Sequence, residues 1–234
     1  MKIINGVLDF LYPSSCIVCG NYTKRGLTCD KCRNLIKYVD EPRCMKCGKS
    51  VETAEEYCDD CRQGKHKYDR GIASFTYNDY LKDAIYDFKY HNVRHLAQYF
   101  AEKMVPRYKY EILRWDADAL IPVPMYEKKK RERGYNQAEL LADELGKALK
   151  IPVRNDILYR CRNTKPQKEL SNKNRIKNVQ NAFQIRQNVV KLKKVILVDD
   201  IYTTGITIDE CAGVLRANGV EKIYYISLCI GTGI

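Results

Sequence analysis

The chain has no apolar stretch long enough to cross a membrane. Its nearest approach, Ile3–Tyr12, is interrupted by Asn5, Gly6 and Asp9, whereas a spanning helix needs about 20 predominantly apolar residues. The same segment lacks an apolar core followed by a small-residue cleavage site, which argues against a secretory signal. A short amphipathic helix packing near the cysteine-rich region is expected there instead. Histidine is scarce, with His66, His91 and His95 the only three. His91 and His95 share a helical face, but the cysteines already supply complete metal-ligand sets, so all three histidines are expected at the surface or in packing. No Gly-Lys-Ser/Thr follows the Thr- and Gly-rich turn at 203–207, which excludes a P-loop and an NTP-driven motor. What remains is a chain of 234 residues, enough for one to two domains and a sizeable core.

Cysteine, by contrast, is abundant. Eight of the 11 cysteines form four CxxC pairs: Cys16/Cys19, Cys29/Cys32, Cys44/Cys47 and Cys58/Cys61. A CxxC turn presents two thiolates to one ion, and two such knuckles complete a tetrahedral four-cysteine zinc site. The pattern repeats after 28 residues (Cys16 to Cys44) and 29 residues (Cys29 to Cys58), with Cys19-Gly20 echoed by Cys47-Gly48. Two tandem zinc ribbons holding two zinc ions are expected. Sequential pairing is the simpler arrangement, and the spacing alone leaves cross-bracing open. A redox role would need one CxxC opening a helix in a thioredoxin-like setting, which four pairs in a polar stretch do not offer. Cys211 and Cys229 fall on apolar faces and are expected as buried thiols; with Cys161, they and the zinc cysteines point to a reducing cytoplasm.

Val195–Thr207 reads VILVDDIYTTGIT. Val195–Val198 is a mostly β-branched run, as expected of a strand buried on both faces of a parallel sheet. Asp199 and Asp200 then fall at its carboxyl end, where open α/β sheets place their ligands. The turn Thr203, Thr204, Gly205, Ile206, Thr207 leads into a helix marked by Ile208, Cys211, Ala212 and Leu215 at helical spacing. N–H groups and hydroxyls at such a helix start cradle a phosphate. Elsewhere, Gly71–Tyr77, Ala117–Val123, Lys194–Val198 and Lys222–Ile230 read as strands. Asp79–Val105 reads as one or two helices and Gly134–Lys150 as one, with Gly219 stopping the last helix. Alternating strands and helices imply a parallel sheet covered on both faces. The polar stretch Arg62–Arg70 divides the chain, giving expected domains 1–66 and 67–234. The net charge of +12 is uneven: residues 1–70, 71–124, 125–194 and 195–234 carry +3, 0, +12 and −3. Cations concentrated beside a phosphate-type loop favour a polyanion, either pyrophosphate or a nucleic-acid backbone.

Val195–Thr207 resembles the motif that binds phosphoribosyl pyrophosphate (PRPP) in type I phosphoribosyltransferases. Ile121-Pro122-Val123-Pro124 followed by Arg133-Gly134-Tyr135-Asn136-Gln137 resembles the ComF/GntX branch of that superfamily, which also begins with cysteine knuckles. Pro166-Gln167, Leu170, Arg175, Asn178-Val179 and Ala182-Phe183 resemble the mobile active-site loop of amidophosphoribosyltransferases and of the same branch. The resemblance covers nearly the whole chain. It implies a type I phosphoribosyltransferase-like α/β sheet behind a double zinc ribbon. Asp199 and Asp200 would hold the ribose hydroxyls, and Thr203, Thr204, Gly205, Ile206 and Thr207 the 5′-phosphate. Lys130, Arg131, Arg133, Gln167 and Arg175 would be pyrophosphate or loop contacts, with Mg²⁺ accompanying bound PRPP.

The implied role is handling incoming single-stranded DNA on the cytoplasmic side during natural transformation, alongside a ComFA-type helicase and near the inner membrane face through partners. The DNA contacts would be Lys128, Lys129, Lys130, Arg131, Arg133, Lys165, Lys168, Lys173, Arg175 and Lys177, with Tyr126 and Tyr135 candidates for base stacking. The alternative is an active phosphoribosyltransferase with an unknown acceptor. Thr203 stands where many purine-salvage relatives carry an aspartate, and a hydroxyl cannot act as a carboxylate base, so purine transfer is not expected. An amidotransferase portion with an N-terminal cysteine nucleophile is not expected either.

Overall fold

The computed structural model describes residues 14–23, 26–64, 66–163, 181–186 and 191–231. The helix expected over Ile3–Tyr12 lies outside them. The cysteine-rich part holds two short antiparallel strands, β1 (Ser14–Ser15) and β2 (Tyr22–Thr23), a 3-10 turn (Arg33–Leu35) and a short helix α1 (Asp59–Gln63). Strand and helix then alternate: β3 (Arg70–Thr76), α2 (Asp79–Tyr90), α3 (Leu96–Arg114), β4 (Ala119–Pro122), α4 (Glu127–Arg133) and α5 (Gln137–Leu149). An antiparallel pair, β5 (Leu158–Arg160) and β6 (Phe183–Ile185), precedes β7 (Lys194–Tyr202), α6 (Ile206–Ala217) and β8 (Lys222–Ile230).

The main sheet runs β3-β8-β7-β4 with every neighbouring pair parallel. Alternate residues of β7 feed two separate cores. Ile196 and Val198 pack with α2, α3 and α5 on one face; Val195 and Leu197 pack on the other with α6 and with Cys44, Cys47 and Cys58 of the second cysteine unit. All four β7 residues are buried, and each contributes about 1.5–3 kcal/mol by leaving water. Both sheet edges are covered, as unpaired edges require. Val39 N donates to Ser74 O at 3.0 Å and Thr76 N to Lys37 O at 3.0 Å, so the linker between the cysteine units closes the β3 edge. Leu120 N donates to Pro152 O at 2.8 Å on the β4 edge. Among the described residues, no helix is long and apolar enough to cross a membrane.

Four boundaries in particular differ from the sequence reading. β7 continues through Asp199 and Asp200 to Tyr202, because β8 beside it is equally long and pairs with it as far as Ile230; ladder pairing overrides the poor strand propensity of aspartate. α6 starts at Ile206, inside the expected turn. The region 79–105 is two helices, the second reaching Arg114. α5 begins only at Gln137, where the Asn136 side chain caps it by accepting from Ala138 N.

Candidate functional site

The cysteines form two clusters, Cys16/Cys19/Cys29/Cys32 and Cys44/Cys47/Cys58/Cys61, and within each the sulfurs all lie within 4.8 Å of one another. Cys19 and Cys29 sulfurs are 3.9 Å apart, and those of Cys47 and Cys58 3.6 Å. A tetrahedron with Zn–S bonds near 2.3 Å has sulfur–sulfur edges of about 3.8 Å. Pairing is sequential, not cross-braced, and the two sites fit two zinc ions. The knuckles repeat in their hydrogen bonds as well: Gly20 N donates to Cys16 O at 2.8 Å and Gly48 N to Cys44 O at 2.9 Å.

A cleft of about 310 Å³ opens at the carboxyl ends of β4 and β7. Asp199, Asp200, Thr203 and Thr207 line it, and α4 contributes Lys129 and Arg133. Lys89 and Tyr90 from the end of α2 and Arg160 from β5 also line it. Burial, then the neighbouring Asp200 carboxylate, pushes the Asp199 acid up to about 7. Burial also disfavours the Lys89 ammonium, but Asp200 overrides this from 2.8 Å and holds it above its ordinary value. Burial pushes the Arg160 guanidinium down. The cleft thus holds two acids and several cations in a partly dry space, where polar groups interact more strongly than in water.

The phosphate-type loop rests on buried tyrosines. Gly205 sits at φ +77°, and a Cβ there would lie 2.5 Å from the Tyr202 hydroxyl. That hydroxyl bonds Tyr68 Oη at 2.7 Å, and the Tyr202 ring stacks on Tyr225 at 4.8 Å and 3°. Tyr225 Oη in turn donates to Cys47 O at 2.6 Å. His66 and Lys67 hold the helix after the loop: His66 Nδ1 lies 2.7 Å from Asp209 Oδ2, and Lys67 N donates to Asp209 Oδ1 at 2.7 Å. Thr204 Oγ1 is buried with no hydrogen-bond partner among the described residues.

The expected cations divide. Lys129 and Arg133 reach the cleft. Lys130 instead pairs with Glu139 at 2.7 Å, and Lys128 and Arg131 are exposed on α4. Ile206 opens α6, and of the expected loop residues Thr204, Gly205 and Ile206 do not line the cleft. Lys165, Gln167, Lys168, Lys173, Arg175 and Lys177 lie outside the described residues. Tyr135 is no stacking surface: it is buried, its hydroxyl donating to Phe88 O at 2.7 Å. Asn136 and Gln137 are structural partners too, Asn136 Nδ2 donating to Val123 O at 2.9 Å and Gln137 Nε2 to Phe88 O at 3.0 Å. The Arg133–Gln137 motif therefore fastens α4 and α5 to β4 and to the end of α2 that carries Lys89. A larger cleft of about 460 Å³, between the inter-ribbon linker and α3, is lined by Asp40 and Glu41 but has no phosphate-type loop.

A parallel sheet with paired acids and a Thr/Gly loop at its carboxyl edge, behind two four-cysteine ribbons, defines a phosphoribosyltransferase-like protein with a double zinc ribbon. Residues 7–62 match the double zinc ribbon domain family. The chain is 36% identical over 222 residues to Competence protein F of Haemophilus influenzae, covering 89% of this chain and 93% of that protein. It is 26% identical over 197 residues to Competence protein ComFC of Bacillus subtilis, covering 82% and 78%. It is 26% identical over 208 residues to the DNA utilization protein YhgH of Escherichia coli K12, covering 86% and 89%. The chain belongs to the ComF/GntX family, that of Competence protein F and ComFC. A solved Bacillus subtilis glutamine PRPP amidotransferase is similar at a TM-score of 0.36 and 18% identity, over 60% of this chain and 30% of that one.

Proposed function

We propose that this protein handles incoming single-stranded DNA on the cytoplasmic side during natural transformation, and that its cleft retains a site for PRPP with Mg²⁺ or for a nucleotide's phosphates. The cleft carries the reading. Asp199 and Asp200 suit ribose hydroxyls, the loop 203–207 with the α6 N-terminus suits a 5′-phosphate, and Lys129 and Arg133 suit a pyrophosphate. The names of the relatives support the role in competence. The exposed cations of α4, Lys128 and Arg131, extend the same basic surface toward a strand, with Lys130 beside them and the cations of 165–177 following in the chain. In this reading residues 1–66 form the ribbon module, available to a ComFA-type helicase, and residues 67–234 the ligand-holding domain.

The test is calorimetry of the purified protein with PRPP–Mg²⁺ and with oligo(dT), alone and together. Asp199→Ala/Asp200→Ala should weaken PRPP binding at least tenfold, about 1.4 kcal/mol, and leave the fold intact. Unchanged affinity would show that the cleft is not the site. Competition between the two ligands would place them on one surface.

A second reading, an active phosphoribosyltransferase, is favoured by the raised pKa of Asp199 beside Asp200 and Lys89. Groups so perturbed in a cleft are enriched at reacting centres. Lys129 and Arg133 would hold the leaving pyrophosphate while the two acids fix the ribose as its C1′ gains positive character, a largely electrostatic contribution. Pyrophosphate release from PRPP that depends on an added acceptor and on Asp199 would establish it. A wild type that binds PRPP but no single strand even at low salt would put this reading first.

A further inference from the structure

We propose that the exposed tyrosine face of α2 is a nucleobase-stacking platform continuous with the cleft, and that single-stranded DNA occupies it. The inference rests on the DNA-handling reading above and names the surface that takes the bases. Tyr86 and Tyr90 are 52% and 57% exposed, while Leu81, Ala84, Ile85 and Phe88 of the same helix are buried. The two rings therefore do little for the core. One helical turn separates them, which puts them side by side, and their centroids lie 4.8 Å apart at 45°. The Arg133 guanidinium sits over the Tyr90 ring at 4.7 Å, and its Nη1 donates to Gln137 Oε1 at 2.6 Å, so the cation is held at the foot of the platform. Tyr90 and Arg133 both line the cleft. From the cleft the face climbs through Tyr90 to Tyr86, with the exposed Lys82 one turn further.

Three features select a nucleic-acid strand. Every base has a π-face, so a pair of rings binds bases without regard to sequence, and an arginine on one ring adds a cation–π contact. The surroundings match a polyanion: Arg133 and Lys129 flank the foot, and the chain carries +12 overall. Area points the same way. Two half-exposed tyrosines offer on the order of 200 Å², well under the roughly 800 Å² per partner of a stable protein interface, whereas one base needs only one ring. Of the three acids on this helix, Asp87 is tied to His91 Nδ1 at 2.7 Å, whereas Asp79 and Asp83 are exposed and Lys82 is the cation beside Asp83.

The experiment is fluorescence anisotropy of the full chain across a salt series, with labelled oligo(dT) and an abasic deoxyribose-phosphate oligomer of equal length. Wild type should bind oligo(dT) more tightly than the abasic strand. Tyr86→Ala/Tyr90→Ala should lose about tenfold in oligo(dT) affinity, the lower part of the range for base–aromatic stacks, and fall to the abasic level. Its salt slope should stay that of wild type, since the phosphate contacts remain. Tyr86→Phe/Tyr90→Phe should keep the preference, because the ring face and not the hydroxyl is used. Lys128→Glu/Arg131→Glu should flatten the slope and preserve the preference. A double alanine variant with wild-type melting and wild-type oligo(dT) affinity would overturn the proposal and leave the face to a protein partner. Equal binding of both oligomers by wild type would overturn stacking alone. A wild type that binds neither would overturn the DNA-handling reading as well.

Discussion

The second ribbon's Cys44, Cys47 and Cys58 are buried in the core that covers one face of the main sheet, with Cys61 packed against it, whereas in the first ribbon Cys16 and Cys32 are buried but belong to neither core, Cys29 is half-buried and Cys19 is exposed. The ligand sets are the same and the spacings nearly so. The first ribbon meets the rest through Ile17 and Leu27 packed at the margin of the other core and a long Tyr99–Thr28 hydroxyl contact of 3.4 Å. The second is built in. Gly71 N donates to Lys46 O at 2.8 Å, drawing β3 onto its knuckle, and the Tyr225 hydroxyl bonds Cys47 O. From Tyr225 the contacts continue through the stacked Tyr202 to Gly205. One zinc chemistry thus serves a peripheral fold in one copy and part of the support for the phosphate-type loop in the other.

The largest effect should come from removing ligands of the second ribbon. Structural zinc contributes about 10–16 kcal/mol of binding free energy, comparable to or above the roughly 5–15 kcal/mol of a whole domain. Cys47→Ser/Cys58→Ser should therefore abolish the cooperative thermal transition of the α/β part. Cys16→Ser/Cys19→Ser should cost one zinc, read by elemental analysis, and leave that transition within a few degrees. Equal losses from the two variants would break the comparison.

Gly205→Ala comes next. It forces a side chain into left-handed backbone, about 1–2 kcal/mol, and drives a methyl into the Tyr202 hydroxyl. The melting point should fall by several degrees and PRPP affinity at least tenfold, with both zinc ions kept. Tyr225→Phe should act more mildly. It leaves the Cys47 carbonyl without its donor, a cost of about 1–3 kcal/mol, read by urea denaturation; unchanged stability would cut the link between the ribbon and the sheet.

A further effect is one of pH. Burial and then Asp200 raise Asp199 in the folded state to about 7, above its ordinary 3.8. A group whose folded value is raised gives stability that is fully present below its unfolded value and lost as pH rises through the folded one. The wild-type melting point should therefore decline between about pH 4 and pH 7 through this group, and Asp199→Asn should flatten that decline. An identical pH profile in the variant would show that Asp199 titrates normally.

Much of this was legible in the sequence, for physical reasons that also mark the limit. CxxC spacing is local, so both metal sites could be read, yet the pairing is set by which knuckles the fold brings together. The run at Val195–Val198 announced a doubly buried strand, and the acids after it announced the cleft. Lys89, Tyr90 and Arg160 were missed because they come from distant segments brought together only by folding. Lys89 follows Phe88 on a helix whose pattern marks only the apolar stripe, so nothing local separates it from a solvated lysine. Tyr135 misled in the other direction: a tyrosine in a basic stretch suggested stacking, and the buried carbonyl of Phe88 that claims its hydroxyl lies 47 positions away.

Hydrogen–deuterium exchange of residues 199–208 tests the central claim most directly, measured in the wild type and in two variants with all four ligands of one ribbon changed to serine. The loop and the end of β7 should stay protected when Cys16, Cys19, Cys29 and Cys32 are replaced, and should lose protection when Cys44, Cys47, Cys58 and Cys61 are. Protection that survives loss of the second ribbon, or that falls equally with loss of the first, would contradict the account.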